Sequence, residues 1–274
     1  SSNTAYTSYD GIYISSSGTN LVVTKNKVSI VNGNYGIYVY SCSASSGTRG
    51  LIANNMVSLA GSGSGHGIYN HYSTYQNYYY NSVNVTRTYS SSSAFACGST
   101  SSNNILLQNN VFANFGGGYA IYTDYTSINV SDYNDLYATG SYLGSWNGYS
   151  CALLTNWRSY SGMDVHSVSI MPEFTSDTDL HMQTYQLDNL GYMLAGVTDD
   201  YDGQTRSLTA PDMGADEWTT PVNDAGVTSI DQALTYCITN DSVYVTIKNY
   251  GTANLTSVNV NWKVNGISQT PKAW

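Results

Sequence analysis

Leu106-Leu107-Gln108-Asn109-Asn110-Val111-Phe112 carries an apolar pair, then asparagine, then a hydrophobic residue two places beyond it. The same order appears upstream as Val22-Val23-Thr24-Lys25-Asn26-Lys27-Val28 and as Leu51-Ile52-Ala53-Asn54-Asn55-Met56-Val57. Looser copies are Tyr78-Tyr79-Tyr80-Asn81-Ser82-Val83 and Val130-Ser131-Asp132-Tyr133-Asn134-Asp135-Leu136. Aligned on Asn26, Asn55, Asn81, Asn110 and Asn134, the copies step by 29, 26, 29 and 24 residues. Self-similarity at such a period marks a solenoid, in which each repeat is one supersecondary unit.

A second ladder runs in phase with the first. Gly11-Ile12-Tyr13-Ile14, Gly36-Ile37-Tyr38-Val39 and Gly67-Ile68-Tyr69-Asn70 are followed by the weaker copies Ala94-Phe95-Ala96-Cys97 and Ala120-Ile121-Tyr122-Thr123. Each repeat thus reads as two short strands, one of the Gly-Ile-Tyr kind and one leading into the asparagine. Period-two alternation turns Ile12, Ile37, Ile68, Phe95 and Ile121 inward, together with Val28, Val57, Val83, Phe112 and Leu136. No rung can bury its apolar face alone, so stacked rungs share one core. The repeated asparagine suits a tight turn, and stacked amides can hydrogen-bond from rung to rung.

Composition agrees with strands and turns. Only 10% of the 274 residues are charged, while Tyr alone numbers 27. The net charge of -9 argues against nucleic acid or an anionic membrane surface as a partner, since both are held by cationic side chains. No apolar run approaches the ~20 residues a membrane helix needs. Ser1 is not preceded by a secretion signal, and the chain reads as mature or as a piece of a longer protein. Cys42, Cys97, Cys151 and Cys237 lack metal-site spacing and read as small buried thiols; Cys42 and Cys97 fall two rungs apart, too far for a bridge.

The alternation over about residues 5–137 resembles the right-handed parallel β-helix repeat family, the pectate-lyase-like solenoids. The segment beyond it strengthens the likeness through the order of its motifs: Ser131-Asp132-Tyr133-Asn134-Asp135-Leu136-Tyr137, Leu154-Thr155-Asn156-Trp157, Gly162-Met163-Asp164-Val165-His166-Ser167, Pro172-Glu173-Phe174, Asp200-Tyr201-Asp202-Gly203-Gln204-Thr205-Arg206 and Pro211-Asp212-Met213-Gly214-Ala215-Asp216-Glu217. This order is similar to the C-terminal end of many secreted bacterial β-helix proteins. It implies a capping segment from about residue 138, with one short helix at Leu153–Ser161. Thr219–Asp224 reads as a linker. Longer alternating strands follow at Ala225–Ile230, Ser242–Asn249 and Ser257–Val264, with turns at Asn249-Tyr250-Gly251 and Asn265-Gly266. Val245-Thr246-Ile247-Lys248-Asn249-Tyr250-Gly251 and Leu255-Thr256-Ser257-Val258-Asn259-Val260 resemble the cell-adhesion-related (CARDB-like) β-sandwich. About 50 residues are half of what such an Ig-like sandwich needs. The expected fold is therefore all-β: a right-handed parallel β-helix with a cap over residues 1–218, a linker at 219–224, and an incomplete sandwich at 225–274.

For function, Tyr13, Tyr38, Tyr69 and Tyr122 alternate with the inward anchors and should form an outward column. Stacked aromatic rings can hold sugar rings, though tyrosines also stack on one another for stability alone. Asp199, Asp200 and Asp202 could take calcium, or could simply shape a turn. His66, His71, His166 and His181 show no metal spacing. Asp164 and His166 are expected to hydrogen-bond within the cap. No catalytic set is expected. A lyase needs a base and a cation beside it, yet the repeats offer only Lys25, Lys27, Arg49 and Arg87 as basic residues. A hydrolase needs two facing carboxylates, and the repeats before Asp132 hold only Asp10 and Asp124. Asn84, Asn129, Asn240 and Asn254 match glycosylation acceptors, and Asp241-Ser242-Val243 a bacterial O-glycosylation triplet. The expected role is a non-catalytic, secreted or cell-surface module for glycan binding, adhesion or surface assembly. A polysaccharide lyase and a structural stalk or fibre subunit are the alternatives. Expected partners are a glycan, surface proteins or other copies of the chain.

Overall fold

The computed structural model describes residues 3–7, 9–183, 185–219, 221–231 and 243–274. They form two compact units, Ser1–Met182 with Gln186–Trp218, and Thr219–Trp274 with Gln183–Tyr185. Cys237, Asn240, Asp241 and Ser242 lie outside the described residues.

The first unit is a parallel β-solenoid of about five turns. Each full turn carries three strands, not two. One sheet holds the Gly-Ile-Tyr strands Asp10–Ser15, Tyr35–Tyr40, His66–His71, Ser93–Gly98 and Tyr119–Thr123, and ends with Gly144–Trp146. We call it the tyrosine sheet. A second sheet holds Val22–Thr24, Gly50–Ala53, Gln76–Tyr79, Ile105–Gln108 and Ile128–Asp132. The third begins at Asn3–Thr7 and continues through Asn26–Val31, Met56–Ala60, Ser82–Val85, Val111–Asn114 and Asp135–Ala138.

The extra strand has a local cause. Lys25, Asn54, Tyr80, Asn109 and Tyr133 all take left-handed backbone with φ of 52–59°. One such residue redirects the chain, so the strand entering the asparagine motif and the strand leaving it belong to different sheets. For a non-glycine residue this conformation costs about 1–2 kcal/mol, and the rest of each rung must outweigh it. The turn and the ladder, expected at one asparagine, are thus divided between two adjacent positions.

The second position builds the ladder. The Asn26 amide donates to Asn55 Oδ1 at 2.8 Å, and Asn55 to Asn81 at 2.8 Å. Asn81 donates to Asn110 at 2.9 Å, and Asn110 to Asn134 at 3.0 Å. Each acceptor also takes the backbone N–H of the asparagine before it. All five residues are buried. In each amide-to-amide bond the donor is the N-terminal member. From Asn55 onward the same Nδ2 also donates back to a carbonyl of the preceding rung, so the last asparagine is left with a donor for an acceptor beyond the ladder. Asp164 supplies it, accepting from Asn134 Nδ2 at 3.2 Å, Ser131 Oγ at 3.0 Å, Ser167 Oγ at 2.5 Å and Trp157 Nε1 at 2.6 Å. Burial pushes the Asp164 pKa up and the hydrogen bonds pull it back.

The inward anchors lie where alternation puts them. Ile37, Ile68, Phe95, Ile121, Val57, Val83, Phe112 and Leu136 are fully buried in one continuous core, with Val28 beside them and Ile12 packed against it. Rungs approach closely at the Gly-Ile-Tyr glycines. A Cβ on Gly36 would meet Val57 Cγ1 at 2.3 Å and the Gly67 carbonyl oxygen at 2.5 Å. Cys42, Cys97 and Cys151 are free thiols, buried as expected.

The end of the stack is closed by Tyr149–Cys151, which turns back antiparallel on Gly144–Trp146, and by helix α1 (Leu154–Ser161). The backbone N–H of Leu153 donates to the Asn156 side chain at the helix start, and Gly162 ends it in left-handed backbone. Trp157, buried on α1, meets Trp146 edge-on at 5.3 Å.

The rest of the expected cap does something different. Residues 164–218 run back along the solenoid as a strap. Val168 pairs with Asp135, Asn84 donates to the Asp177 carbonyl, and Leu180 packs on Met56 and Ala215. The residues in left-handed backbone grip this strap. Lys25 pairs with Asp199 at 2.6 Å, and Asn54 donates to the Asp199 carbonyl at 2.8 Å. Tyr80 and Asn109 both donate to the Tyr192 carbonyl, and Tyr133 stacks on His166. Buried Arg206 lies 3.9 Å over the Tyr80 ring and donates to Asn54 Oδ1. Stacked rungs leave their flank exposed, and the strap is what covers it.

Within the strap, burial raises the Asp212 pKa to about 8, against backbone hydrogen bonds from Asn189 and Trp218 that lower it. Asp135, Asp164 and Asp216 are pushed up by burial too. Between an unfolded value near 3.8 and this folded value, the native chain holds a proton that the unfolded chain has released. Stability should therefore fall as pH rises through that window. The expected result is a lower melting temperature at about pH 8 than at about pH 5, with a flatter slope for Asp212→Asn. An unchanged slope in the variant would show that Asp212 does not carry it.

The second unit fits an incomplete β-sandwich. Ala225–Ile230 pairs antiparallel with Val245–Asn249, within the expected Ser242–Asn249. The expected strand Ser257–Val264 is observed as two short pieces, Asn259–Val260 paired with Lys272–Ala273, and Lys263–Val264 paired with Ile267–Ser268. Asn265 and Gly266 both have positive φ, the signature of a type I′ hairpin turn.

Candidate functional site

The outer face of the tyrosine sheet is an aromatic platform. Tyr13 pairs in register with Tyr38, and Tyr38 with Tyr69. Their ring centroids are 5.2 Å apart at both steps, and Tyr38 stacks on Tyr69 with only 14° between planes. The column extends sideways. Tyr35 lies 4.5 Å from Tyr38, and His71 stacks on Tyr69 at 5.0 Å. Tyr40 meets Tyr72 edge-on at 5.7 Å, and Tyr72 lies 4.1 Å from His71. Tyr13 remains 55% exposed and Tyr72 43%, while Tyr38 and Tyr69 are half-buried beneath their neighbours. Tyr35 faces outward as well, a contribution the column reading of the sequence missed.

Tyr122 is separated from this platform. Ala96 stands between Tyr69 and Tyr122 in the register, flanked by Ser93 and Gly98 on the same strand. Tyr69 leans across this small-residue rung, its hydroxyl 2.7 Å from where a Cβ of Gly98 would stand. The Tyr122 hydroxyl donates to Asp124 Oδ1 at 2.5 Å. The expected four-residue column is therefore three stacked rings, a gap and one more tyrosine.

Electrostatics across the platform are neutral to acidic. Tyr38 Oη and His71 Nδ1 are 3.1 Å apart. Burial lowers the His71 pKa against a raising effect of Asp124, and burial with nearby Arg87 lowers that of His66 to about 4. Both rings are neutral near pH 7. Tyr38 and Tyr69 are pushed up, first by burial and then by the neighbouring tyrosines, with Asp10 and Asp124 adding to it. Lys and Arg are absent from the strands of this sheet.

Asp199, Asp200 and Asp202 do not form a shared ligand set. Asp199 pairs with Lys25, and Asp200 accepts the backbone N–H groups of Gln204 and Glu217. The Asp200–Gln204 bond closes a turn, and the Lys25–Asp199 pair ties the strap to the solenoid. Asp202 instead reaches His181, its Oδ2 2.7 Å from Nε2. Among the described residues, His181, Asp202 and Asp216 bring ligand atoms within 4.8 Å of one another. Asp179 bonds the other ring nitrogen of His181, an arrangement that orients the imidazole. An imidazole with two carboxylates suits a transition-metal ion better than calcium. Sequence spacing hid the group because its members come from three separate segments of the strap. His166, by contrast, bonds Asp132 within the cap as expected, at 2.7 Å.

No two carboxylates face each other on the tyrosine sheet, and Lys25 and Lys27 lie on the strap side, where Lys27 helps to lower the Asp179 pKa and Asp199 pairs with Lys25. Asn84, one of the glycosylation matches, is buried. Comparison with family models, with curated proteins and with solved structures gives no match.

Proposed function

We propose that the chain is a non-catalytic, extracellular glycan-binding or adhesion module, with the platform of Tyr13, Tyr35, Tyr38, Tyr40, Tyr69, His71 and Tyr72 as its binding face. The supporting observation is the continuity of that face: neighbouring rings lie 4.1–5.7 Å apart over three rungs and stay partly open to solvent. Flat aromatic faces edged with hydroxyls match the apolar face and hydroxyl rim of a sugar ring. The resemblance to secreted bacterial pectate-lyase-like solenoids and to the CARDB-like sandwich supports the cell-surface setting. Binding should be measured on an immobilised glycan panel. Tyr38→Ala and Tyr69→Ala are expected to weaken retention by about tenfold each, since a ring stack contributes ~0.5–1.5 kcal/mol beyond its buried area. Unchanged retention in both variants would remove the platform from the argument.

A second reading rests on the Tyr38–His71 pair. A neutral imidazole 3.1 Å from a phenol could move a proton in a β-elimination. Release of unsaturated sugars from acidic polysaccharides, lost in His71→Ala, would establish it in place of the non-catalytic reading.

A further inference from the structure

The binding face can be assigned a ligand charge as well as a shape. All nine Lys and Arg residues of the chain are placed. Lys25 pairs with Asp199 of the strap, and Lys27 lies close enough to Asp179 to lower its pKa. Arg49 donates to Asn77 and Gln76 beside the second sheet. Arg87 is buried beneath three carbonyls, those of Gly33, Ala60 and Ser64. Arg158 donates to the Asp164 and Ser167 carbonyls, and Arg206 lies in the strap. Lys248, Lys263 and Lys272 belong to the second unit. No cation stands on a strand of the tyrosine sheet, whereas two carboxylates border it. Asp10 is paired in register with Tyr35 at one end. Asp124 follows Thr123, the register partner of Cys97, at the other.

Asp124 is the better placed of the two. It is exposed, and Tyr122 orients it through the 2.5 Å hydrogen bond. Between it and the platform stands only the rung of Ser93, Ala96 and Gly98, over which Tyr69 leans. Its charge is felt at both Tyr69 and His71. An ammonium group there would meet a carboxylate and the face of an aromatic ring together, and both attract it. A carboxylate-bearing sugar seated there would meet Asp124 as a like charge.

We propose that the tyrosine face takes an amino-sugar glycan, its rings lying on Tyr13, Tyr38 and Tyr69 and a protonated amine seated between Asp124 and the edge of the platform at Tyr69 and His71. The proposal rests on the glycan-binding reading and adds the charge of the ligand to it. A peptide rich in lysine would satisfy the carboxylate but not a flat surface tiled with rings over three rungs.

The test is calorimetric titration of the full chain with a glucosamine hexamer, the N-acetylglucosamine hexamer and a galacturonate hexamer, in weakly acidic buffer. The glucosamine hexamer is expected to bind about tenfold more tightly than the acetylated one, and the galacturonate hexamer not at all. Asp124→Asn should erase that preference while leaving the acetylated hexamer's affinity unchanged. Its melting temperature should not move, because Asp124 is exposed. Added salt should weaken only the glucosamine complex. Equal affinity for the first two hexamers, or an undiminished preference in Asp124→Asn, would overturn the amine site and leave glycan binding standing. So would a lysine-rich peptide bound as tightly as the glucosamine hexamer. Absence of binding by every sugar would overturn the glycan reading itself.

Discussion

Asn81→Leu is expected to lower the melting temperature by roughly 10 °C, reading a loss of ~3–5 kcal/mol at ~2–4 °C per kcal/mol for a unit of this size. Asn81 sits in the middle of the amide ladder with no exposure to solvent. Its Oδ1 accepts from the backbone and side-chain nitrogens of Asn55, and its Nδ2 donates to the Ile52 carbonyl and to Asn110. Leucine matches the side chain in bulk but breaks these four buried hydrogen bonds. It leaves the Asn55 backbone N–H and one Asn55 Nδ2 proton unpaired, while Asn55 Nδ2 keeps the Val23 carbonyl and Asn110 Oδ1 keeps the backbone N–H of residue 81. Each orphaned group costs about 1–3 kcal/mol, and only part of this is recovered from added apolar contact. The exposed substitution Asn34→Leu, at a residue outside left-handed backbone, serves as a control and should change little. Thermal unfolding followed by circular dichroism decides the matter. A shift in Asn81→Leu no larger than in Asn34→Leu would mean that packing, not the amide ladder, holds the rungs.

Asp164→Ala should be at least as damaging, because four donors converge on one carboxylate. Trp157 Nε1 and Asn134 Nδ2 can only donate, and both are buried. Removing the acceptor strands the indole that closes the core and takes from Asn134 one of its acceptors, the Leu107 carbonyl and Ser131 Oγ remaining. The expected loss is ~3–5 kcal/mol, the range for stripping a hydrogen-bonded charge from its buried partners. Asp164→Asn should give little rescue. Either orientation of its amide turns an N–H against Trp157 or against Asn134. Retention of near-native stability by Asp164→Asn would show that one acceptor oxygen is enough to end the ladder. Tryptophan fluorescence is a second readout, since Trp157 should become more mobile once Asp164 is gone.

The two substitutions explain why the repeat carries an asparagine at all. An open solenoid end leaves directional donors unmatched, and a stack of amides passes that demand from rung to rung until an anion meets it. The strap answers a separate demand, because the residues that bend the chain into left-handed backbone project their side chains out of the rung. Lys25, Asn54, Tyr80 and Asn109 all find partners there.

Sequence alone determined the solenoid, its rungs and its inward residues, because short-range alternation and a period of 24–29 residues are local properties that survive without coordinates. It also placed α1 and the Asn265-Gly266 turn, whose chemistry lies in a few adjacent residues. Tertiary structure alone decided three things. A single φ sign at the residue before each ladder asparagine made the rung three-sided, and residues as different as Lys25, Tyr80 and Asn109 share it. The path of the strap depended on contacts across more than a hundred residues, which set Asp199 against Lys25, Asp200 against the backbone N–H groups of Gln204 and Glu217, and Asp202 beside His181 and Asp216. The aromatic face, legible as a column of Tyr13, Tyr38, Tyr69 and Tyr122, gained Tyr35, Tyr40, His71 and Tyr72 and lost its continuity at Ala96. Those changes follow from which side chains the register sets side by side, and register between rungs of unequal length is fixed only when the loops between them have folded.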